Sequence, residues 1–131
     1  MQVIEDKKYD IDDVFRMIGK DNLELHTINK KLRTSINVDG FNVFQQSLRY
    51  CTFYQKGLTC CRCGRTGTYF RLCGNDHNKT RRHFNLYSAD GILMTKDHIF
   101  PRSKGGQDDI ANMQTMCTIC NSEKADRIEI I

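Results

Sequence analysis

Residues 94–121 read MTKDHIFPRSKGGQDDIANMQTMCTICN, and this stretch decides the expected fold of the chain. It starts as a strand that runs towards Asp97 and His98, and it continues as a loop that holds the sole proline and a Gly-Gly pair. It returns as a short strand over residues 112–116. The composition of residues 120–127, rich in Glu, Lys and Ala, indicates a helix. We therefore predict two strands, a polar loop between them, and a helix.

Four of the seven cysteines form two Cys-x-x-Cys pairs, Cys60 with Cys63 and Cys117 with Cys120. Each pair lets two thiolates point at one tetrahedral ion, with Zn–S bonds of about 2.3 Å. Two pairs complete a closed four-sulfur site, so we predict one shared structural zinc ion. Cys61 offers a different partner for Cys63, and we prefer Cys60 because two intervening residues give the usual knuckle.

Two other cysteines and two histidines are not predicted to bind metal. Cys51 and Cys73 are interpreted as buried or idle thiols, and His77 and His83 are not assigned as ligands. The cysteine count is odd, and the N-terminus lacks an apolar signal core. We therefore expect a reducing, cytoplasmic location, in which metal binding is favoured over a disulfide scaffold. No stretch is long and apolar enough to suggest a membrane protein.

The net charge of +4 comes from 20 basic and 16 acidic side chains, and it is spread unevenly. Residues 1–50 are neutral, whereas the stretch from Lys56 to Arg82 holds seven basic side chains against Asp76 alone. Such an excess suits a phosphate backbone, although a solvated face is the alternative. Four thiolates around one zinc ion would add a net −2, so the metallated protein is less basic than the sum suggests.

Residues 1–46 are predicted to be a small N-terminal lead-in, followed by a second unit over residues 47–131. Asp10 is a candidate N-cap, and apolar residues between Ile11 and Ile18 recur at helical spacing. A weaker helix is expected over residues 23–32. Asp39-Gly40, between short apolar runs, predicts a hairpin turn.

Residues 47–127 resemble an HNH endonuclease of the zinc-containing ββα-metal type, and more narrowly the small phage-encoded members. The resemblance rests on the Met-Thr-Lys-Asp-His junction, the second cysteine pair followed by Asn121, the Arg-x-x-x-Phe-x-x-x-Gly-x-x-Cys run from Arg49, and the Asn-Leu-Tyr strand from Asn85. It implies an α+β fold with a ββα-metal core stapled by the zinc site. It also implies DNA as substrate, a structural Zn²⁺ ion and a catalytic Mg²⁺ or Mn²⁺ ion.

The resemblance implies a role for each matching residue. His98 corresponds to the general base, and Asp97 and Asn121 correspond to the ligands of the catalytic ion. Asn112 corresponds to the residue that braces the loop and orients the base. Contacts to DNA phosphates are predicted for Lys124, Arg102 and Lys104.

The chemistry of these side chains agrees with those roles. An imidazole can take a proton near neutral pH, and carboxylate and amide oxygens suit Mg²⁺. Neighbours on an ideal strand point to opposite faces, so Asp97 and His98 can serve one site only if the strand ends or kinks there. A zinc ion on Cys117 and Cys120 would fix the start of the helix that carries Asn121.

Two simpler interpretations remain open. Asn112 could be a turn residue and Asn121 a helix cap. The whole chain could then be a non-catalytic, zinc-stabilised module that binds nucleic acid or protein. A zinc nucleobase deaminase is disfavoured, because the sequence has neither His-x-Glu nor Pro-Cys-x-x-Cys.

Overall fold

The computed structural model describes residues 1–128 as a mixed arrangement of helices and strands. Seven strands run over Gln2–Ile4 (β1), Ser35–Val38 (β2), Phe41–Phe44 (β3), Gly67–Asn75 (β4), Arg81–Ser88 (β5), Leu93–His98 (β6) and Met113–Cys117 (β7). Four α-helices run over Ile11–Ile18 (α1), Lys20–Leu23 (α2), Leu48–Lys56 (α3) and Thr118–Lys124 (α4). Short 3₁₀ helices cover Lys30–Leu32, Arg102–Lys104 and Ile110–Asn112.

Strand β5 is the branch point of the sheet. Along one path the strand order is β1-β4-β5-β3-β2, and β6 also pairs with β5 and carries β7 on its other side. The first half of β5 pairs in parallel with β3, at Val43 and Arg82, and its second half pairs antiparallel with β6, at Leu86 and Met94. One strand therefore connects the N-terminal hairpin to the strands at the C-terminal end.

Helices α1 and α3 cover one side of this sheet. Phe53 of α3, Phe70 of β4 and Phe84 of β5 are almost completely buried, with neighbouring ring centroids 6.3 Å and 5.9 Å apart. The Tyr50 hydroxyl accepts a hydrogen bond of 2.8 Å from the Phe84 backbone N–H. Burial of the large aromatic rings stabilises this core. The hydrogen bond to the Tyr50 hydroxyl leaves neither of its polar partners unpaired.

The predicted helix and hairpin near the N-terminus agree with the structure. Asp10 stands at the N-cap position of α1, and Val14 and Ile18 on its apolar stripe are fully buried. Asp39 and Gly40 both have positive φ, at 49° and 92°, which is the backbone that a tight β2–β3 turn requires.

The helix expected over residues 23–32 does not form as one element. Helix α2 ends at Leu23, and a separate 3₁₀ turn begins at Lys30 after Asn29, whose side chain accepts from the Lys31 backbone N–H. Between them, backbone carbonyls are used by other parts of the fold, since the Gln55 side chain donates to the carbonyl of Leu25 and the Ile110 N–H donates to that of His26, both at 2.8 Å. Tertiary hydrogen bonds outweigh the weak helical pattern here.

Residues 1–46 pack into the same sheet and core as the remainder of the chain. Strand β1 pairs with β4, and β3 pairs with β5. The boundary between a lead-in and a second unit at residue 46 stays a prediction. Within residues 1–128, no helix has the length and apolar character needed to cross a membrane.

Candidate functional site

The four predicted zinc-ligating cysteines form one cluster. The sulfur atoms of Cys60, Cys63, Cys117 and Cys120 all lie within 4.8 Å of one another, and the Cys63 and Cys117 sulfurs are 3.7 Å apart. Bonds of about 2.3 Å to a tetrahedral zinc ion place sulfur atoms roughly 3.8 Å apart. The donor set and spacing therefore fit a structural zinc ion, and Cys60 rather than Cys61 is the member of the cluster.

The two knuckles are joined through strand β7. The Cys61 backbone N–H donates to the Thr115 carbonyl at 3.0 Å, and the Thr115 hydroxyl donates to the Gly57 carbonyl at 2.6 Å. Cys61 is thus held by its backbone, and its thiol is left outside the cluster. The first knuckle is docked on the strand that leads into the second.

The surroundings of Cys60 favour its thiolate form. Burial alone would raise the pKa of the Cys60 thiol, but hydrogen bonds from the backbone at Cys63, Cys117 and Arg62 together lower it to about 6. Within the same cluster, burial and hydrogen bonds with the other sulfurs raise the pKa of the Cys120 thiol, so binding of an ion would displace a proton there.

Helix α4 begins within the second knuckle, directly after Cys117, and carries Asn121 as its fourth residue. Cys117 is the N-cap residue, and its sulfur accepts from the Cys120 backbone N–H at 3.4 Å. The Asn121 side chain donates its amide N–H to the Thr95 hydroxyl of β6 at 2.8 Å. The amide oxygen of Asn121 is the atom with lone pairs to offer a cation.

Asp97 of β6 is buried, and its carboxylate contacts two other side chains. Lys124 of α4, which is itself fully buried, places its ammonium 3.1 Å from one carboxylate oxygen and 3.4 Å from the other. Gln114 of β7 donates to the same carboxylate at 2.9 Å. Lys124 also donates to the backbone carbonyl of His98 at 3.0 Å, so it ties α4 to the end of β6.

His98 is the last residue of β6, and it pairs with a carboxylate from the following loop. Its Nε2 lies 2.7 Å from Asp108 Oδ1. The hydrogen bond from His98 lowers the pKa of Asp108, so this carboxylate is ionised and can only accept. Nε2 is therefore the protonated nitrogen, and Nδ1 carries the lone pair of the neutral ring.

Asn112 braces the loop that separates β6 from β7. Its side-chain oxygen accepts from the Phe100 backbone N–H at 2.8 Å, and its side-chain N–H groups donate to the carbonyls of Phe100 and Gln107 at 3.0 Å. The Asn112 backbone carbonyl accepts from the Ile99 N–H at 2.8 Å. One side chain thus closes the loop that follows His98 and contains Asp108.

The family comparison matches this same region. Residues 89–130 match the family model described as HNH endonuclease. The match covers about a third of the chain and supports a relation of this segment to the HNH endonuclease family. Neither the search of curated proteins nor that of solved structures gave a match. HNH endonucleases act on DNA, so the family indicates nuclease activity. The matched segment spans β6, the braced loop, β7 and α4, and the first cysteine knuckle precedes it.

We call residues 89–130 the HNH segment. In it, the predicted site residues lie on two different faces of β6. Thr95 and Asp97, two residues apart, face α4, where they contact Asn121 and Lys124. His98, the next residue along, turns to the other face and meets Asp108. The structure therefore places His98 on the opposite side of β6 from Asp97 and Asn121, because side chains alternate along a strand that stays regularly paired as far as His98.

The predicted phosphate contacts lie in different surroundings. Arg102 is largely exposed and sits 3.6 Å from Asp108, and Lys104 donates to the backbone carbonyl of Asp126 at 2.6 Å. Lys124 is fully buried against Asp97, so it would have to leave that pair to reach a phosphate. All three contacts stay predictions.

Three partners of the HNH residues were missed by sequence reasoning. Asp108 pairs with His98, Gln114 with Asp97, and Thr95 with Asn121. Thr95 and Gln114 had a signal, since strand alternation and hairpin pairing place them beside Asp97. Asp108 had none, because its position depends on how the loop closes.

Proposed function

We propose that this protein is a metal-dependent DNA endonuclease that hydrolyses phosphodiester bonds by a one-metal HNH mechanism. The β6–β7 hairpin and helix α4 would form the ββα-metal core, with a zinc ion on the four-cysteine cluster as its structural clamp. The proposal is supported mainly by the match of residues 89–130 to the HNH endonuclease model, a segment in which Asp97 and His98 end β6 and α4 carries Asn121.

His98 is the proposed general base. With Nε2–H donated to Asp108, Nδ1 can take the proton of the attacking water as the phosphorus–oxygen bond forms. Asp108 then stabilises the imidazolium through the same hydrogen bond, and it keeps the ring in one orientation throughout. Asn112 holds the loop that carries this carboxylate, so it is a positioning residue.

Asp97 and Asn121 are the proposed holders of the catalytic Mg²⁺ or Mn²⁺ ion. Both offer oxygen donors on the α4 face of β6, and two protein ligands leave room for water and a phosphate oxygen. Such an ion, when bound, neutralises charge that develops on the phosphate and on the departing oxygen. Lys124 already stands beside the carboxylate of Asp97, so it would share that carboxylate or move.

The buried Lys124–Asp97 pair also favours a second candidate function. An aspartate whose charge is already balanced by an internal ammonium is a weaker metal ligand than a free one. The alternative is a zinc-stabilised module that binds nucleic acid or protein without cutting it.

A cleavage assay with metal controls separates the two functions. Zinc-loaded protein is incubated with supercoiled plasmid, with Mg²⁺ or Mn²⁺ added or omitted, and His98→Ala and Asn121→Ala are tested in parallel. The nuclease proposal expects nicked or linear DNA only with the added ion, and at least a 100-fold slower rate for His98→Ala, the order of a lost general base. DNA binding without cleavage under every ion would favour the module.

A further inference from the structure

A cleft opens on the side of β6 that His98 faces. Its volume is about 420 Å³. One wall comes from the N-terminal part of the chain, between Ile28 and Leu48, and the other from the beginning of β5, from β6 and from the loop after it. Six cationic side chains line it: Lys30, Arg33, Arg81, Arg82, Lys96 and Arg102. Among the described residues of its lining, Asp108 alone is acidic. We call it the cationic cleft.

Two of these cations are stacked on a single aromatic ring. The guanidinium carbons of Arg33 and Arg81 lie 3.9 Å and 3.8 Å from the ring centroid of Phe44. Two guanidinium groups cannot share one face at that distance, so they lie on opposite faces of the ring. Phe44 thus fixes the positions of two guanidinium groups through cation–π contacts. Because each guanidinium is planar and stacked on the ring, its N–H groups point outward along the plane of the stack.

Most of the cationic side chains that line the cleft form no ion pair with a carboxylate among residues 1–128. Arg82 pairs with Glu5, and Arg102 approaches Asp108. Within residues 1–128, ion pairs to a carboxylate are absent for the other four cations, which are Lys30, Arg33, Arg81 and Lys96. Burial and the nearby positive charge of Arg49 lower the pKa of Lys96, while the carboxylate of Asp108 partly opposes that shift. These like charges repel one another, and holding them close together costs free energy. Such an arrangement indicates a site where a bound anion balances the charge.

The cleft reaches Asp108, the residue that contacts the proposed general base. Lys96 lies two positions before His98 and so on the same face of β6. Asp108 both lines the cleft and contacts the His98 ring at 2.7 Å. Residues Gln46 to Leu48, at the start of α3, also line it, and the first-turn N–H groups of a helix add partial positive charge.

We propose that the cationic cleft binds the phosphate backbone of a DNA strand beside the phosphate that is cut. Residues 28–48 are then part of the substrate-binding surface, and they hold the strand while His98 acts at its neighbouring phosphate. This inference rests on the proposed nuclease function for its substrate. A series of fixed charges with few base-directed groups suits backbone contacts, so binding is expected to depend on salt more than on sequence.

The test measures DNA binding in a protein that does not cut. The zinc-loaded His98→Ala chain is titrated against a labelled duplex and a labelled single strand by fluorescence anisotropy, across a range of NaCl concentrations and without added divalent ion. Adding Lys30→Gln and Arg33→Gln removes two cleft charges. We expect affinity to fall about 10- to 60-fold at 0.1 M salt, and the log–log salt slope to fall by about 2.

A matched control removes the same charge elsewhere. Arg16→Gln with Lys20→Gln takes two exposed cations from α1 and α2, which do not line the cleft. Equal losses in both double variants, or no loss in the cleft variant, would overturn the proposal. Lys30→Glu, at an exposed position, gives the same test if the double variant proves unstable. A wild type that never cuts DNA would defeat the nuclease proposal and leave this binding result standing.

Discussion

At the residue scale, the buried pair between Lys124 and Asp97 has the largest expected effect on stability. Lys124→Met leaves the Asp97 carboxylate inside the protein with its ammonium partner removed. Removing one member of a buried ion pair typically costs about 3–5 kcal/mol of the free energy of unfolding. Chemical denaturation of the zinc-loaded protein measures this change.

The double variant identifies the cause. Lys124→Met with Asp97→Asn removes the orphaned charge, and we expect it to recover part of the lost stability. If the single and double variants unfold at the same denaturant concentration, the loss reflects packing of the lysine stem and not an unpaired charge. Lys104→Met, at an exposed lysine, should leave stability nearly unchanged.

Asp108 offers a second test at this scale, because both of its proposed roles, orienting His98 and stabilising its imidazolium, depend on one hydrogen bond. Asp108→Asn keeps the size of the side chain and removes the charge that requires Nε2 to be protonated. We expect kcat for DNA cleavage to fall at least about 10-fold, since general-base catalysis depends on the correct tautomer, and KM to stay level or fall, since the cationic cleft loses an acidic side chain.

Its neighbour provides the control. Asp109 caps the following 3₁₀ turn through the Ala111 N–H, and asparagine caps as well as aspartate does. Asp109→Asn should therefore cut DNA at the rate of the wild type. Similar losses in both variants would point to a general effect of charge near the loop.

At the scale of elements, helix α4 depends on the cysteine knuckle that begins it. Cys120→Ser removes one of four ligands, and we expect loss of bound zinc, loss of cooperative thermal unfolding, and loss of cleavage together. Cys61→Ser is the matched control, because that thiol lies outside the cluster. Zinc content by elemental analysis and a thermal melt report both. A zinc-free Cys120→Ser protein that still cuts DNA would contradict the structural role.

The elements predicted correctly from sequence are those fixed by neighbouring residues. The stripe of α1, the Asp39-Gly40 turn and each Cys-x-x-Cys knuckle depend on contacts within a few positions. The helix expected over residues 23–32 does not form, because Gln55 and Ile110, far along the chain, use the carbonyls of Leu25 and His26. The His98–Asp108 pair was not predicted for a related reason. Only the closed loop between β6 and β7 brings these two side chains together. The cationic cleft is formed by segments far apart in sequence, so no local sequence pattern predicts it.

At the scale of the whole molecule, β5 joins the N-terminal hairpin to the HNH segment. A fragment of residues 47–131 would lose the β3 partner of β5, the β1 partner of β4, and the buried side chains of α1. We expect this fragment, even with zinc, to unfold without a cooperative transition, whereas the full chain melts in one step. Calorimetry of the two proteins side by side makes the comparison. A cooperative melt of the fragment would instead support a separate unit beginning at residue 47.

The separation of the two knuckles along the chain also bears on how long the protein survives in a cell. Cys63 and Cys117 are 54 positions apart, and the segment between them contains β4, β5, β6 and most of β7. An ion that joins them closes a large loop and removes many conformations from the unfolded ensemble. Its withdrawal would release that whole segment at once to proteases. Turnover of this protein should therefore follow the supply of free zinc, rising abruptly when a chelator competes for the ion.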